Sequence, residues 1–380
     1  MKVRSLHSDR PVVSLLTTSS VYQPFARLAR WLGNGFEELG VRFDLCYLEA
    51  PEEVSNGGFV RTLRLGQRRS SRSIPTIAKY LRDSKPRLAL ATPGHLSPFA
   101  VVAGRLTGVP VVPWEQTILK FDLPTASWEA KVLYYIQRLG YPGAPAVATV
   151  STDVAAHFQE RSIRRQRCFD LPNFVDRNEV LELAGEGRGD NRVFRFCSLG
   201  RLSPQKGIDV MLRAFGRAND QLPRPWELVL IGTGELRDEL RALAEAEGIS
   251  SHVHFSGYVE NPYQVLASAQ VFVHSARWEG CPVAVLEAAA LGLPTVATNS
   301  PGGTREILAE GAGILVPPDD PLAFAEALVA VANEEGLRKK LAVNASRRAD
   351  AYAPVRIAER VLKLVEFVEE RRHATSESRI

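Results

Sequence analysis

The sequence predicts an α/β protein built from two doubly wound parallel sheets in tandem. Short β-branched runs alternate with helical stretches over most of its 380 residues. Those runs are apolar on both faces, the pattern of strands covered by helices on each side. The alternation breaks once, around 172–192, and then restarts. A length of 380 residues suits two or three domains, and 45% hydrophobic with 24% charged residues is enough to fill their cores.

In the first half, "VVSLLT" reads as a strand, "FARLARWLGNGFEELG" as a helix ending at Gly40, and "VRFDLCYL" as the next strand. There follow "RLALAT" (strand), "PFAVVAGRLTG" (helix), "VPVVPW" (strand), "WEAKVLYYIQRLG" (helix) and "PAVATVS" (strand). The stretch "PNFVDRNEVLELAGEGRGDN" is rich in Gly, Asn and acids and reads as a linker. Beyond it come the strands "VFRFCSLG", "WELVLIG", "HVHFSG", "VFVHS", "PTVATN" and "GILVPP", with helices between them, including one over 282–291. Two helices are expected in 320–348, a last one follows Pro354, and the tail "HATSESRI" reads as disordered. The predicted domains are 1–175 and 190–352, with 353–372 a helix crossing back to the first.

The four cysteines, Cys46, Cys168, Cys197 and Cys281, form no C-x-x-C pair, which argues against a disulfide framework or a zinc site. No uncharged apolar run of about 18 residues is present, so a soluble cytoplasmic chain is expected. The net charge of +4 hides an asymmetry: residues 1–180 hold 24 Lys and Arg against 16 Asp and Glu. The excess clusters in "RTLRLGQRRSSR" (Arg61, Arg64, Arg68, Arg69, Arg72) and "ERSIRRQR" (Arg161, Arg164, Arg165, Arg167). Such clusters suit an anionic membrane surface or a phosphorylated substrate, or are simply solvated. No stacking aromatics interleave with them, which argues against single-stranded nucleic acid.

In a doubly wound sheet, ligands bind outside the carboxyl ends of the strands. The loop "ARWEG" follows such an end, and Pro282 is well placed as the first helical residue behind it. The helix N-terminus is an anion site. Glu279 lies just before it, and Glu287 sits inside a helix that is apolar on nearly every side. An unpaired carboxylate there is costly, so Glu287 needs a partner. The alternatives are an Arg for Glu287 and mere complementation of the helix dipole for Glu279. In "CSLGRLSPQKGID", Gly200 ends a strand, and Arg201 and Lys206 flank a Pro-containing loop, a pair of cations suited to a diphosphate. Gly232 in "IGTGEL" and the stretch "SGYV" mark further strand ends, while "NSPGGTREIL" puts Gly302 and Gly303 before a helix, able to approach a ligand closely.

These motifs together resemble the retaining, family-4 (group 1) glycosyltransferases of GT-B fold, two Rossmann-like domains facing a central cleft. Glu279 and Glu287 have that family's E-x7-E spacing, and "GRLSPQKG", "SPGGTREIL" and "GILVPPDDPLAFAEAL" resemble its segments. The resemblance implies Arg201 and Lys206 on the diphosphate of a nucleotide-sugar donor and Glu287 on the ribose hydroxyls. It implies Glu279 with the backbone of Gly280, Cys281, Pro282 and Val283 at the donor sugar, and Tyr258 and Val259 beside the base. It covers the second half specifically and the first only in pattern. Where relatives carry Thr-Glu-His, this chain has "PWEQ", so Gln116 takes the histidine's place and cannot titrate; His95 in "TPGHLS" is the candidate substitute.

The expected reaction transfers a sugar from a nucleoside diphosphate to a hydroxyl acceptor, which can be lipid-linked. No cofactor or metal is expected, because two cations can hold the departing diphosphate. An epimerase of the same architecture and a non-catalytic nucleotide-sugar-binding protein remain as alternatives. A dehydrogenase is disfavoured because "GTGELR" is not G-x-G-x-x-G and lies deep in the chain.

Overall fold

The computed structural model describes residues 12–19, 23–49, 58–66, 70–122, 131, 139, 141–163, 165–185 and 192–377. Arg68, Arg69 and Arg164, and nearly all of the helix expected over 128–140, lie outside the described residues. The chain forms two compact units, one of residues 1–173 with 353–380, the other of 174–352.

The first unit holds seven strands: β1 Val13–Ser19, β2 Phe43–Glu49, β3 Val60–Arg64, β4 Leu88–Ala91, β5 Val111–Glu115, β6 Val147–Thr149 and β7 Cys168–Asp170. They lie in the order β3-β2-β1-β4-β5-β6-β7, with every described pairing parallel. The order reverses between β1 and β4, the switch point where a doubly wound sheet opens a crevice.

The edge strands β3 and β7 are additions to the sequence reading. In β3 ("VRTLR") charges alternate with half-buried residues, as an edge strand permits, and so it reads as a basic loop. Arg61 is not free there: its guanidinium forks onto Asp44 of β2, with Nε 3.0 Å from Oδ1 and Nη2 2.5 Å from Oδ2. Arg161 is likewise consumed, buried 3.1 Å from the carboxylate of Glu115, which also accepts from the Tyr141 hydroxyl. Two of the nine clustered arginines are therefore held in internal ion pairs.

The last helix runs Pro354–Glu377, so the tail read as disordered is helical through 377. It belongs to the first unit. Arg87 grips Glu369, Arg360 grips Asp170, and Arg372 donates to the Gly108 carbonyl at 2.9 Å. Arg167 lies over the paired rings of Phe169 and Phe367, 5.2 and 4.6 Å from their centroids.

The second unit holds β8 Phe194–Leu199, β9 Trp226–Ile231, β10 Val253–Gly257, β11 Val271–His274, β12 Thr295–Thr298 and β13 Ile314–Val316. Their order, β10-β9-β8-β11-β12-β13, is the dinucleotide-binding order, with its switch between β8 and β11. Phe215 stacks on Trp226 in its core, and Phe196 meets Phe215 edge-on. The segment read as a linker contains a helix, Arg177–Ala184, started by Asp176, whose side chain accepts from the Glu179 amide, and stopped at Gly185. Composition hid it because its cap and stop residues are the ones that usually mark loops. It packs on the helices Pro262–Ala267 and Val283–Ala290, which is why the second compact unit begins at Phe174.

His157, on the helix Thr152–Arg161, is buried with no hydrogen bond to either ring nitrogen. Desolvation, then Arg161 and Lys120, push its pKa down to about 4 against the opposing pull of Glu160. A histidine kept neutral in the fold contributes stability that is full above its unfolded pKa of about 6.5 and is lost as pH falls toward 4. His157→Gln is expected to flatten the fall of Tm over that window, removing at most about 3 kcal/mol of pH dependence. Thermal melts of both proteins across the window check this.

Candidate active site at the carboxyl edge of the second sheet

The switch point brings together the loops after β8 and β11. The chain leaves β8 through Gly200, turns through the single 3-10 turn Pro204–Lys206, and enters the helix Ile208–Ala218 at Gly207. Gly207 has φ 58°, and a Cβ there would stand 2.2 Å from the Ser275 carbonyl oxygen, so only glycine lets this turn lie against the end of β11. The Ser275 hydroxyl donates to the Lys206 carbonyl at 2.9 Å. Arg277 locks the two loops together: it forks onto Asp209, donates to the Pro204 carbonyl at 2.7 Å, and reaches Asp319 at 2.7 Å.

Glu279 lies in this clamp, 6% exposed. Lys206 Nζ is 2.5 Å from its Oε1, and His274 Nε2 is 3.1 Å from the same oxygen, though out of line for a hydrogen bond. Burial works to raise the Glu279 pKa, but the Lys206 ammonium and His274 outweigh it and hold the carboxyl down at about 2. Glu279 is thus an anion at any working pH, unable to donate a proton.

The loop 300–304 supports Glu279. The Glu279 amide donates to the Pro301 carbonyl at 2.9 Å, and that of Gly303 to Gly280 at 2.7 Å. Gly302 has φ 125°, and a Cβ there would meet the Glu279 carbonyl oxygen at 2.1 Å. Its glycine character serves loop packing on Glu279. Beside it, Ser300 Oγ and Thr304 Oγ1 are buried without a hydrogen-bond partner among the described residues.

The helix behind Glu279 spans Val283–Ala290, with Pro282 in extended conformation at its N-cap, one position before the helical residue expected. No side chain caps this end. Glu287 is 1% exposed in its second turn, and the Tyr263 hydroxyl donates to its Oε1 at 2.9 Å. Cys281 is buried and forms no disulfide. Arg201 is exposed, with no side-chain partner among the described residues. Gly232 follows β9, its amide donating to Gly257 at 2.8 Å, and beyond Gly257 come the exposed Tyr258 and half-buried Val259.

The sequence reading missed His274, Tyr263 and Arg277. A histidine closing a strand five residues before Glu279 was a usable signal. Tyr263 and Arg277 act through contacts that no local spacing reveals.

His95 and Gln116 belong to the first unit. His95 follows β4, is exposed, and has a pKa lowered by partial desolvation. Gln116 follows β5, with Nε2 buried and unpartnered. Thr17 of β1 and Thr92 after β4 also carry buried, unpartnered hydroxyls. The strand register aligns Leu16 with Ala91 and Ala91 with Pro113, so Thr17, Thr92 and Gln116 fall on one face of three adjacent strands at their carboxyl ends. Among the described residues no group of three His, Cys, Asp or Glu could hold a metal ion.

Comparison with known proteins agrees with this geometry. Residues 186–348 match the family model "Glycosyl transferases group 1", and residues 25–173 match "Glycosyl transferase 4-like domain". An uncharacterized glycosyltransferase of Methanocaldococcus jannaschii is 36% identical over 144 residues, 36% of this chain and 35% of that protein. The N-acetylgalactosamine-N,N'-diacetylbacillosaminyl-diphospho-undecaprenol 4-alpha-N-acetylgalactosaminyltransferase of Campylobacter jejuni is 30% identical over 206 residues, 54% of this chain and 55% of that protein. The chain thus aligns over about a third to a half of the length of these relatives. The structure of HepE from Anabaena, in complex with UDP and glucose, has a TM-score of 0.71 at 18% identity, covering 93% of this chain and 99% of that one. The fold is GT-B, and each of its two units matches a glycosyltransferase domain model.

Replacing Glu279 with Gln strands the Lys206 ammonium. The loss expected is about 3 kcal/mol near neutral pH. Because the folded pKa lies below the unfolded one, this contribution is full above about pH 4.5 and is lost as pH falls toward 2. Denaturant titrations of wild type and Glu279→Gln should therefore diverge at pH 7 and converge in acid.

Proposed function

We propose that the protein transfers a sugar from a nucleoside-diphosphate sugar to a hydroxyl acceptor, with the anomeric configuration retained, in the assembly of cell-surface polysaccharide or glycolipid. The observation that carries this is the pairing of Lys206 with an ionised Glu279 at the switch point of the second sheet, beside an uncapped helix end and the unpaired Arg201. The matches to both glycosyltransferase domains support it.

In the step proposed, the bond between the sugar C1 and the β-phosphate oxygen breaks, and the electron pair leaves with the diphosphate. Arg201, Lys206 and the amides at the start of the helix Val283–Ala290 hold that growing charge. The acceptor oxygen bonds to C1 from the same face, and its proton passes to the departing phosphate. Glu279, fixed as an anion, orients the sugar and steadies the positive charge developing on its ring. Glu287 receives the ribose hydroxyls beside Tyr263. In the first unit Gln116, Thr17 and Thr92 offer hydrogen-bonding groups for a hydroxyl acceptor.

Two cations make a metal unnecessary, so activity should survive chelation. The Campylobacter jejuni relative acts on a diphospho-undecaprenol-linked acceptor by its description, which supports a lipid-linked acceptor and a peripheral enzyme at the inner face of the cell membrane. Among the described residues no helix is long and apolar enough to cross a membrane.

A panel of nucleotide sugars read by thermal shift, followed by acceptor screening with product anomers assigned by NMR, tests the reaction. Interconversion of donor without acceptor, or tight binding with no transfer, would replace this reading with an epimerase or a binding protein.

Glu287→Ala should weaken nucleoside-diphosphate binding itself by about 1.5–3 kcal/mol, roughly ten- to a hundredfold, measured by titration calorimetry. For Arg201→Ala and Lys206→Ala the loss should fall more on kcat than on donor affinity, since their charge matters most as the phosphate departs. Steady-state kinetics separates the two quantities, and a loss confined to affinity would make both residues ground-state binders.

A further inference from the structure

A buried polar atom without a hydrogen bond costs free energy, and one that persists in a folded protein calls for an explanation. His274 Nε2 is such an atom. The residue is 2% exposed, and Nε2 makes no hydrogen bond although Glu279 Oε1 stands 3.1 Å away. The ring has little freedom to improve that geometry. Its strand β11 lies between β8 and β12, with His274 paired to Ala297, and the Phe272 ring lies nearly parallel to the imidazole at 6.3 Å. The carboxylate can adjust instead, because rotation about the last bond of a glutamate side chain is soft.

Lys206 holds the same oxygen at 2.5 Å. It is built to move where His274 is not. It has a flexible four-carbon stem, its side chain is 20% exposed, and it leaves the single turn Pro204–Lys206. The stem runs past Gly200, where an added Cβ would stand 3.5 Å from the lysine Cε. An ammonium drawn toward the diphosphate of a bound donor would leave Oε1 short of a partner. A carboxylate this buried must then take up a proton or accept another N–H. The His274 imidazole is in reach.

We propose that His274 is a positioning residue that takes over Glu279 Oε1 when Lys206 turns to the donor diphosphate. With its proton on Nε2, the imidazole donates to the carboxylate once that group rotates into line. Glu279 thus stays an anion aimed at the sugar ring while Lys206 is engaged by the leaving group. This role rests on the transfer reaction proposed above. In the free protein Lys206 satisfies Glu279, so the histidine matters most where the lysine is absent or occupied.

Thermal melts of wild type, His274→Leu, Lys206→Met and the double variant test this without substrate. Because the lysine covers Glu279, His274→Leu alone should lower Tm little. In the Lys206→Met background the same change removes the remaining donor and should lower Tm by about 3 °C or more beyond its effect in wild type. A double variant that alone fails to fold is the extreme of that result, and additive shifts overturn the proposal. Steady-state kinetics is the second measurement. His274→Leu should lower kcat about ten- to a hundredfold with donor KM and nucleoside-diphosphate affinity nearly unchanged. His274→Gln, whose amide can donate from a similar place, should recover most of that loss. A leucine variant as active as wild type, or a glutamine variant no better than leucine, assigns the ring to packing against Phe272 and also overturns the proposal. If wild type transfers no sugar, the melts still decide on His274, so either reading can fail alone.

Discussion

Lys206 and Glu279 lie 73 positions apart in the chain, on loops that follow different strands, and their side chains meet at 2.5 Å. That contact requires β8 and β11 to be neighbours and both loops to be held rigidly at the carboxyl edge. The parallel order of the sheet supplies the first condition. The second comes from Gly207 under Ser275, Gly302 under Glu279, and the Arg277 fork on Asp209. A buried carboxylate is costly unless paired. Burial by itself favours the neutral acid, so it is the Lys206 ammonium and His274 that keep Glu279 charged. Remove any support and the ammonium and carboxylate separate into a site that penalises both.

The same pairing shapes the chemistry. An acid held at about 2 cannot shuttle protons, so a reaction built on this site runs on fixed charge. His274 adds a third group to one carboxylate oxygen, and it does so from the last residue of a central strand, where side-chain position is most constrained. Glu287 is governed by the opposite logic. It stands in an apolar helix, and the Tyr263 hydroxyl donates a hydrogen bond to it. Two carboxylates eight residues apart thus take different tasks from their surroundings.

The first unit distributes its polar groups differently. At the carboxyl end it keeps hydrogen-bonding atoms of Thr17, Thr92 and Gln116 unspent, while its ion pairs, Arg61 with Asp44 and Arg161 with Glu115, are used to hold strands and helices together.

Local pattern determined much of this protein. Apolar runs of strand length with helices between them specify parallel sheets, because only covered strands are apolar on both faces. The break near 172–192 was legible, as were Glu279, Arg201 and Lys206 beside strand and helix ends and Glu287 as the charge inside an apolar helix. Strands β3 and β7 were not, because edge strands are short and half-polar and lack that signature. Nor was the helix Arg177–Ala184, whose Asp176 and Gly185 punctuate like a loop. Tertiary structure alone decided which charges are available. Spacing along the chain showed arginines in clusters, but whether a guanidinium meets Asp44, Glu115, a phenylalanine ring or water depends on segments tens of residues away. The same holds for Tyr263 beside Glu287 and His274 beside Glu279. Secondary structure follows from the periodicity of neighbours in sequence. The state of a charge follows from neighbours in space, and those exist only when the sheet is assembled.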